Sequence, residues 1–430
     1  MEKQESKFRW VVFGTVLFAY FLIISQRTAP GLIPDKLMKE FDVSASMIGL
    51  LASVQFFAYA ALQIPIGILS DRYGPNLFLI LGTMISGLGT LLYSVSWNEY
   101  ALLLARLLAG IGDAAIWINL VLILSQWFKA NEFVRLIGFA GIMGSLGFLL
   151  ASVPFSAWIM ILGWRPPFFI TGIIIFLCGI LLYYVIAVQP KKFIKNYTVI
   201  TPLGKKQNHE KTFDLLRRIF LDRKAWAAFL CHFGVVGTYV GFIGSWAVPY
   251  GMHVYEMTRS NASQLVMVGL IGAISGSLLI SWITNRFGTI RLPYVVMHLI
   301  MCLGWAAFPL FGGKPPVVLL FVLFFIIGFG NGANPLTFAY VRHAFPLKEV
   351  GVVSGFANTG GFISAILLPS VFGKIIDHFQ SAGIQVGYHY GFMIPVIFSL
   401  FGLAGGLLIK EHRAENEKVH ERKLQVTGKV

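Results

Sequence analysis

Long apolar runs joined by short polar segments make up most of the chain; Trp10 to Ser25 and Val317 to Phe329 are two of them. In lipid such runs are helical, because hydrocarbon cannot satisfy a free backbone N–H or C=O. About 20 apolar residues cover the bilayer. A closed barrel would instead show alternating segments of about ten residues, a pattern this chain lacks. The spacing predicts twelve helices, at residues 9–33, 45–70, 76–96, 99–126, 133–157, 164–188, 225–250, 262–284, 290–311, 315–340, 350–372 and 388–409. The fold class expected is an all-α membrane protein, with twelve transmembrane helices in two pseudo-symmetric six-helix bundles.

Composition agrees. Of 430 residues, 57% are hydrophobic and 12% charged, and the mean hydropathy is +0.74. A soluble core could not hide so much apolar surface. Disorder, collagen, a disulfide scaffold and a soluble enzyme domain are excluded on the same ground. The net charge of +15 follows from topology. With the N-terminus inside, 26 of the 34 Lys and Arg residues fall in inside segments and 6 in outside ones, with Arg27 and Arg106 within helices. This asymmetry predicts both termini in the cytoplasm. No Arg/Gly or aromatic-interleaved stretch points to nucleic acid. Cys178, Cys231 and Cys302 lie singly in apolar runs and read as packing residues. The first apolar run is too long for a cleaved signal peptide.

One long polar stretch, 189–224, divides the chain near its midpoint. The expected units are an N-terminal bundle over 1–188, a cytoplasmic basic linker over 189–224, a C-terminal bundle over 225–410 and a cytoplasmic tail over 411–430. The two bundles repeat each other. Leu69-Ser70-Asp71-Arg72-Tyr73-Gly74 matches Ile283-Thr284-Asn285-Arg286-Phe287-Gly288 at an offset of 214, and Gly110 to Ala115 matches Gly328 to Ala333 at 218. Gly138 and Gly144 match Gly355 and Gly361 at 217. Duplicated bundles place a binding site at the repeat interface near the bilayer midplane.

Charges inside the membrane are costly and face a polar cavity. Arg106 and Asp113 stand seven residues apart in the fourth helix, so both point the same way about 10 Å apart along the axis. Their counterparts in the second half are the uncharged Phe324 and Asn331, so the scaffold itself does not require the charges. Arg27 lies in the first helix, before Thr28-Ala29-Pro30, with no acid nearby in sequence. It either snorkels to the headgroups or offers its paired donors to a carboxylate or phosphate. Gln55, Tyr59 and Gln63 form one stripe of the second helix. Asn119, Tyr239, Trp246, Asn331, Asn334 and Asn358 are further cavity candidates, each equally suited to helix–helix hydrogen bonding. His232 and His298 read as packing histidines. Gly138, Gly141, Gly144 and Gly147 recur every three residues and permit close helix approach.

Gly67-Ile68-Leu69-Ser70-Asp71-Arg72-Tyr73-Gly74 resembles the signature of the major facilitator superfamily, although Pro75 and Asn76 replace the two basic residues usual after the glycine. By that resemblance, Asp71 and Arg72 help lock the cytoplasmic ends of the halves in the outward-open state. Arg106-Leu107-Leu108-Ala109-Gly110 is similar to the family's fourth-helix pattern. An acid seven residues after the arginine resembles the organic anion/cation symporter branch, where a glutamate carries the coupling proton; here the acid is Asp113. Ala357-Asn358-Thr359-Gly360-Gly361 is similar to an Asn-containing stretch of that branch. An arginine comparable to Arg27 also occurs there, often after an acid that Gln26 replaces. A Gly-Pro motif that marks many antiporters is missing from the fifth helix.

The leading expectation is a proton-coupled symporter for a small carboxylate-bearing solute, an organic acid or an amino acid. Arg27, Gln55, Tyr59, Tyr239, Asn331 and Asn358 would bind the substrate. Asp113, drawn toward Arg106 when deprotonated, would carry the proton, and Asp71 and Arg72 would gate. An efflux pump or facilitator for neutral or cationic compounds is the second reading, and a non-transporting membrane sensor the third. No phosphate-cradling Gly-Lys-Ser/Thr loop or Cys/His metal cluster is present, so no enzyme, metal or cofactor is expected. The expected partners are a small-molecule substrate, a proton and the bilayer, with the chain a monomer in a bacterial inner membrane.

Overall fold

The computed structural model describes residues 6–43, 45–151, 153–190 and 211–410. Among the described residues, twelve helices are long and apolar enough to cross a membrane. They are α1 (Arg9–Thr28), α2 (Ser53–Tyr73), α3 (Pro75–Ser94), α4 (Glu99–Trp127), α5 (Glu132–Leu150) and α6 (Arg165–Val188), then α7 (Arg223–Ser245), α8 (Ser260–Phe287), α9 (Arg291–Leu310), α10 (Val317–Ala344), α11 (Leu347–His378) and α12 (Ile384–Leu408). The protein is a multi-pass, all-α membrane protein of two six-helix halves.

Local chemistry sets the helix ends. Asn98 accepts from the N–H of Ala101 to cap α4, Asp222 from that of Lys224 to cap α7 and Thr258 from that of Asn261 to cap α8. The sequence repeat recurs in backbone geometry: Gly74 turns α2 into α3 at φ 89°, and Gly288 turns α8 into α9 at φ 63°. Only glycine adopts these angles freely.

Prolines account for the largest departures from the expected bounds. The first helix does not run to residue 33; it stops at Thr28, and a short turn over Ala29–Leu32 leads into a separate helix, Pro34–Phe41. The tenth is two pieces, Val317–Asn331 and Pro335–Ala344, because Pro335 lacks the N–H that would continue the ladder. Helix α7 ends at Ser245, and Ala247–Tyr255 forms its own segment. Of the expected linker, 191–210 lies outside the described residues, as does the tail 411–430; the stretch Thr212–Leu221 is helical.

Among the described residues, the apolar cores of the two halves merge at one end and stay separate at the other. The face bearing Arg72, Lys129 and the linker, here the basic face, holds one continuous apolar core drawn from both halves, from Val12 to Ile409. Toward the opposite face each half keeps its own core. One is built on Leu37, Leu102 and Trp164, the other on Phe242, Trp305 and Phe392. Where the core divides, Tyr59 of α2 packs on Phe362 of α11 with ring centroids 4.2 Å apart.

Glycines make the joint tight. A Cβ on Gly67 would come within 2.5 Å of the Gly351 carbonyl oxygen, and one on Gly355 within 2.4 Å of the Gln63 carbonyl oxygen. Between α5 and α8, Ser277 donates to the Gly138 carbonyl at 3.1 Å. Gly355→Val therefore forces a side chain against the Gln63 backbone, at a cost of about 1–3 kcal/mol. It is expected to shift the closed-to-open ratio of the basic face about tenfold toward open. Spin-label distances across the basic ends of α2 and α11 should lengthen; unchanged distances would disprove the reading.

On the opposite face Glu40 clamps the Pro34–Phe41 helix. It accepts from Trp164 Nε1 at 2.6 Å and from Arg165 at 2.7 Å, while Arg165 also donates to the carbonyls of Ser94 and Ser96. Partial burial raises the Glu40 carboxyl, but the bonds from Trp164 and Arg165 outweigh this and hold it below the usual carboxylate range. A depressed acid adds stability that is fully present above its unfolded value and lost as pH falls through its folded one. The clamp is thus expected to hold at neutral pH and to release only in acid, below the range where an ordinary glutamate titrates. Trp164 fluorescence during acid titration reads this, with Glu40→Gln showing no such transition.

Candidate functional site

The site forms where α1, α2, α3 and α4 converge. Gly82 of α3 and Gly112 of α4 let their helices touch, since a Cβ on Gly112 would lie 2.5 Å from the Gly82 carbonyl oxygen and from Ser86 N. That closeness brings the hydroxyl of Ser86 onto Asp113 Oδ1 at 2.8 Å. On the other carboxylate oxygen, Oδ2, Gln55 Nε2 donates at 2.9 Å and Arg27 Nε at 3.0 Å. Asp113 has no exposed side-chain surface, and Arg27 keeps 11%.

Arg27 therefore points inward, not to the headgroups. Its Cζ stands 4.5 Å from the centroid of the Tyr59 ring, a cation–π distance. Only Nε is given to Asp113, and the other side chain against the guanidinium is Tyr59. An ion pair closed through Nε leaves the terminal N–H groups to an anion. Gln55 Oε1 is buried without a donor among the described residues.

The structure corrects the expected Arg106–Asp113 pair. Arg106 donates from Nε to the Leu51 carbonyl at 3.3 Å and lies 5.9 Å from the Tyr93 ring centroid. Its guanidinium faces the apolar core of the opposite-face end, while Asp113 is taken by Arg27. Seven residues give two near-parallel side chains on one helix, but two turns separate them, and a closer cation on α1 wins.

Of the other candidates, Gln55 and Tyr59 border the charge pair. Asn358 does not line it with a free group, because Nδ2 donates to Tyr59 Oη at 2.9 Å and to Gln63 Oε1 at 2.7 Å. Tyr239 Oη, Asn331 Oδ1 and Asn334 Oδ1 are buried in the C-terminal half without a hydrogen-bond partner among the described residues. Asn119 donates to the Ala115 carbonyl of its own helix, and Trp246 to the Pro369 carbonyl. His298 sits between the carbonyls of Tyr294 and Cys231 and can donate to one of them, a packing role. The three cysteines are free and buried.

At the basic face Asp71 Oδ1 accepts from Gly351 N at 2.8 Å and Oδ2 from Val352 N at 2.7 Å, so an acid of one half caps α11 of the other. Arg72 reaches Thr212 Oγ1 of the linker helix at 2.8 Å. Arg218 of that helix pairs with Glu349 at 3.1 Å.

The family model described as Major Facilitator Superfamily matches residues 16–369 and 256–429. The chain belongs to this family. Superfamily membership makes it a transporter and not an enzyme. Among its relatives, the gentisate transporter of Corynebacterium glutamicum is 25% identical, over 91% of this chain and 84% of that one. The D-galactonate transporter of Escherichia coli is 23% identical, over 86% of this chain and 89% of that one. Of solved structures, the Major Facilitator Superfamily transporter FucP in the outward conformation superimposes with a TM-score of 0.75 at 15% identity, covering 94% of this chain and 100% of that chain. This last likeness is one of fold alone.

Within this superfamily transporter, sequence reasoning missed Ser86 and undervalued His232. A serine in an apolar helix is ordinary; only the Gly82–Gly112 contact gives Ser86 its partner. His232 joins Asn358 and Thr337, a role no local pattern reveals.

Proposed function

We propose that the protein is a proton-coupled symporter for a small carboxylate-bearing solute. The observation that carries the reading is the Arg27–Asp113 pair, closed through Nε so that the terminal nitrogens of Arg27 stand clear of the Asp113 carboxylate. Those nitrogens offer the parallel donors a carboxylate takes. The relatives named for gentisate and D-galactonate, both carboxylates, support the same class.

The coupling follows from charge. Buried, Arg27 needs one negative partner, and Asp113 or the substrate can supply it. When Asp113 takes a proton, Arg27 is released to the anion; when the anion leaves, Asp113 gives up its proton and closes the pair again. Gln55 and Ser86 hold the carboxyl in place through both states. Entry is from the face where the halves part. The excess of Lys and Arg on the closed face supports placing that face, and both termini, in the cytoplasm. Asp71 and Arg72 act there as the gate, since the bonds from Gly351 and Val352 to Asp71 must break before the basic face can open.

The test is binding to the purified protein. Gentisate and D-galactonate should raise its thermal midpoint more at low pH than at high pH, and one proton should be taken up per anion bound. Equal stabilisation by uncharged analogues of the same acids would exclude the proposal.

A further inference from the structure

A buried chain of hydrogen bonds crosses between the halves beside the carboxylate site. Asn358 of α11 donates from Nδ2 to Tyr59 Oη at 2.9 Å and to Gln63 Oε1 at 2.7 Å, both on α2. Its Oδ1 lies 3.0 Å from His232 Nε2 on α7. His232 Nδ1 lies 3.2 Å from Thr337 Oγ1 on α10, and Thr337 in turn bonds Tyr294 on α9. All six side chains are buried.

The direction of every bond from Gln63 to His232 is fixed by two backbone carbonyls. Gln63 Nε2 donates to the carbonyls of Tyr59 at 3.2 Å and Ala114 at 3.3 Å. Carbonyls only accept, so Gln63 must turn Oε1 toward Asn358. Asn358 must then turn Nδ2 toward Gln63 and Oδ1 toward His232. An amide oxygen only accepts, so the His232 proton sits on Nε2. Tyr59 Oη, accepting from Asn358, must aim its own hydrogen elsewhere, and that hydrogen has no acceptor among the described residues. The Tyr59 ring is the one that lies against Arg27.

We infer that His232, as the Nε2–H tautomer, positions Tyr59 through Asn358 to donate its hydroxyl hydrogen to the anion bound at Arg27, tying occupancy of the site to the C-terminal half. The inference rests on the carboxylate reading above. His232 is a positioning residue and touches no substrate. Without that donor, Asn358 Oδ1 is left buried and unpaired, so Asn358 is held only through Nδ2 and no longer fixes where Tyr59 aims its hydroxyl hydrogen. The C-terminal half is also released from Tyr59, the side chain that senses whether Arg27 is paired with Asp113 or with substrate.

The experiment uses the full chain with gentisate and D-galactonate as probes. His232→Leu should weaken binding about tenfold or more, the worth of one hydrogen bond to a charged group, while labelled-solute turnover at saturation falls much less. His232→Gln, whose amide can donate to Asn358 and accept from Thr337, should stay within about threefold of the unaltered protein. Tyr59→Phe should match His232→Leu, and the double variant should lose no more than either alone. Multiplying losses in the double variant, or unchanged affinity in a His232→Leu protein of normal melting temperature, would overturn the inference. Nitrogen NMR of the ligand-free protein with labelled histidine should report the proton of His232 on Nε2; a proton on Nδ1 overturns it. Should neither acid bind the unaltered protein, the carboxylate reading fails, while the tautomer still supports or overturns the hydrogen-bond chain.

Discussion

Asp113→Asn is expected to abolish uphill accumulation of carboxylate under an imposed proton gradient, while exchange of labelled for unlabelled solute across the membrane continues. The split follows from which states leave a buried charge uncompensated. The empty carrier is neutral at its centre when Asp113 is ionised against Arg27. The loaded carrier is neutral when Asp113 is protonated and the anion faces Arg27. The two mixed states, empty with a proton or loaded without one, each strand a charge, which costs about 3–5 kcal/mol in a buried pair. That suppresses slippage at least a hundredfold. With Asn at 113 the loaded carrier is still neutral and crosses freely. The empty carrier holds Arg27 alone and does not return, so net uptake stops and only exchange remains. Proteoliposomes with labelled gentisate or D-galactonate make the measurement, and a variant that still concentrates solute removes Asp113 from the coupling role.

Arg27→Gln removes carboxylate binding, with an expected loss of more than a hundredfold in affinity. Two charge-assisted hydrogen bonds are at stake, each worth about 1.5–3 kcal/mol, and a hundredfold corresponds to about 2.7 kcal/mol. Arg27→Lys is the sharper variant. It keeps a cation for Asp113, so the fold is spared a lone buried acid, but an ammonium cannot serve Asp113 through one nitrogen and a carboxylate through two others. Its expected loss is about tenfold or more. The reading of an efflux pump or facilitator for neutral or cationic compounds predicts instead that Arg27→Gln transports nearly as well as the unaltered protein. Isothermal calorimetry with the two acids, beside flux measurements, separates the two outcomes.

Several parts of this site are legible in the sequence. Asp113 stood out because the matching position of the second half is Asn331, and Arg27 because a lone cation in an apolar helix needs a reason. Gln55 and Tyr59 followed from the four-residue stripe that faces them inward. The pairing was not legible. Periodicity orders side chains around one helix, so it offered Arg106 to Asp113; the actual partner comes from another helix 86 residues away in sequence. Asn358 was flagged for its polarity, but its task of bridging α2 and α7 depends on three helices meeting at one depth.

Sequence by itself determined the number of helices, the duplication of the halves, the side on which basic residues collect and the identity of the intramembrane charges. Each of these follows from period, composition or cost of burial, which act along the chain and are written in it. The tertiary structure alone decided that Arg27 neutralises Asp113, that Ser86 and Gln55 hold the carboxyl, and that one core joins the halves at the basic face and splits beyond Tyr59 and Phe362. These depend on how closely glycine-lined helices approach one another, and a distance between helices is a property of the packed molecule that no single segment carries.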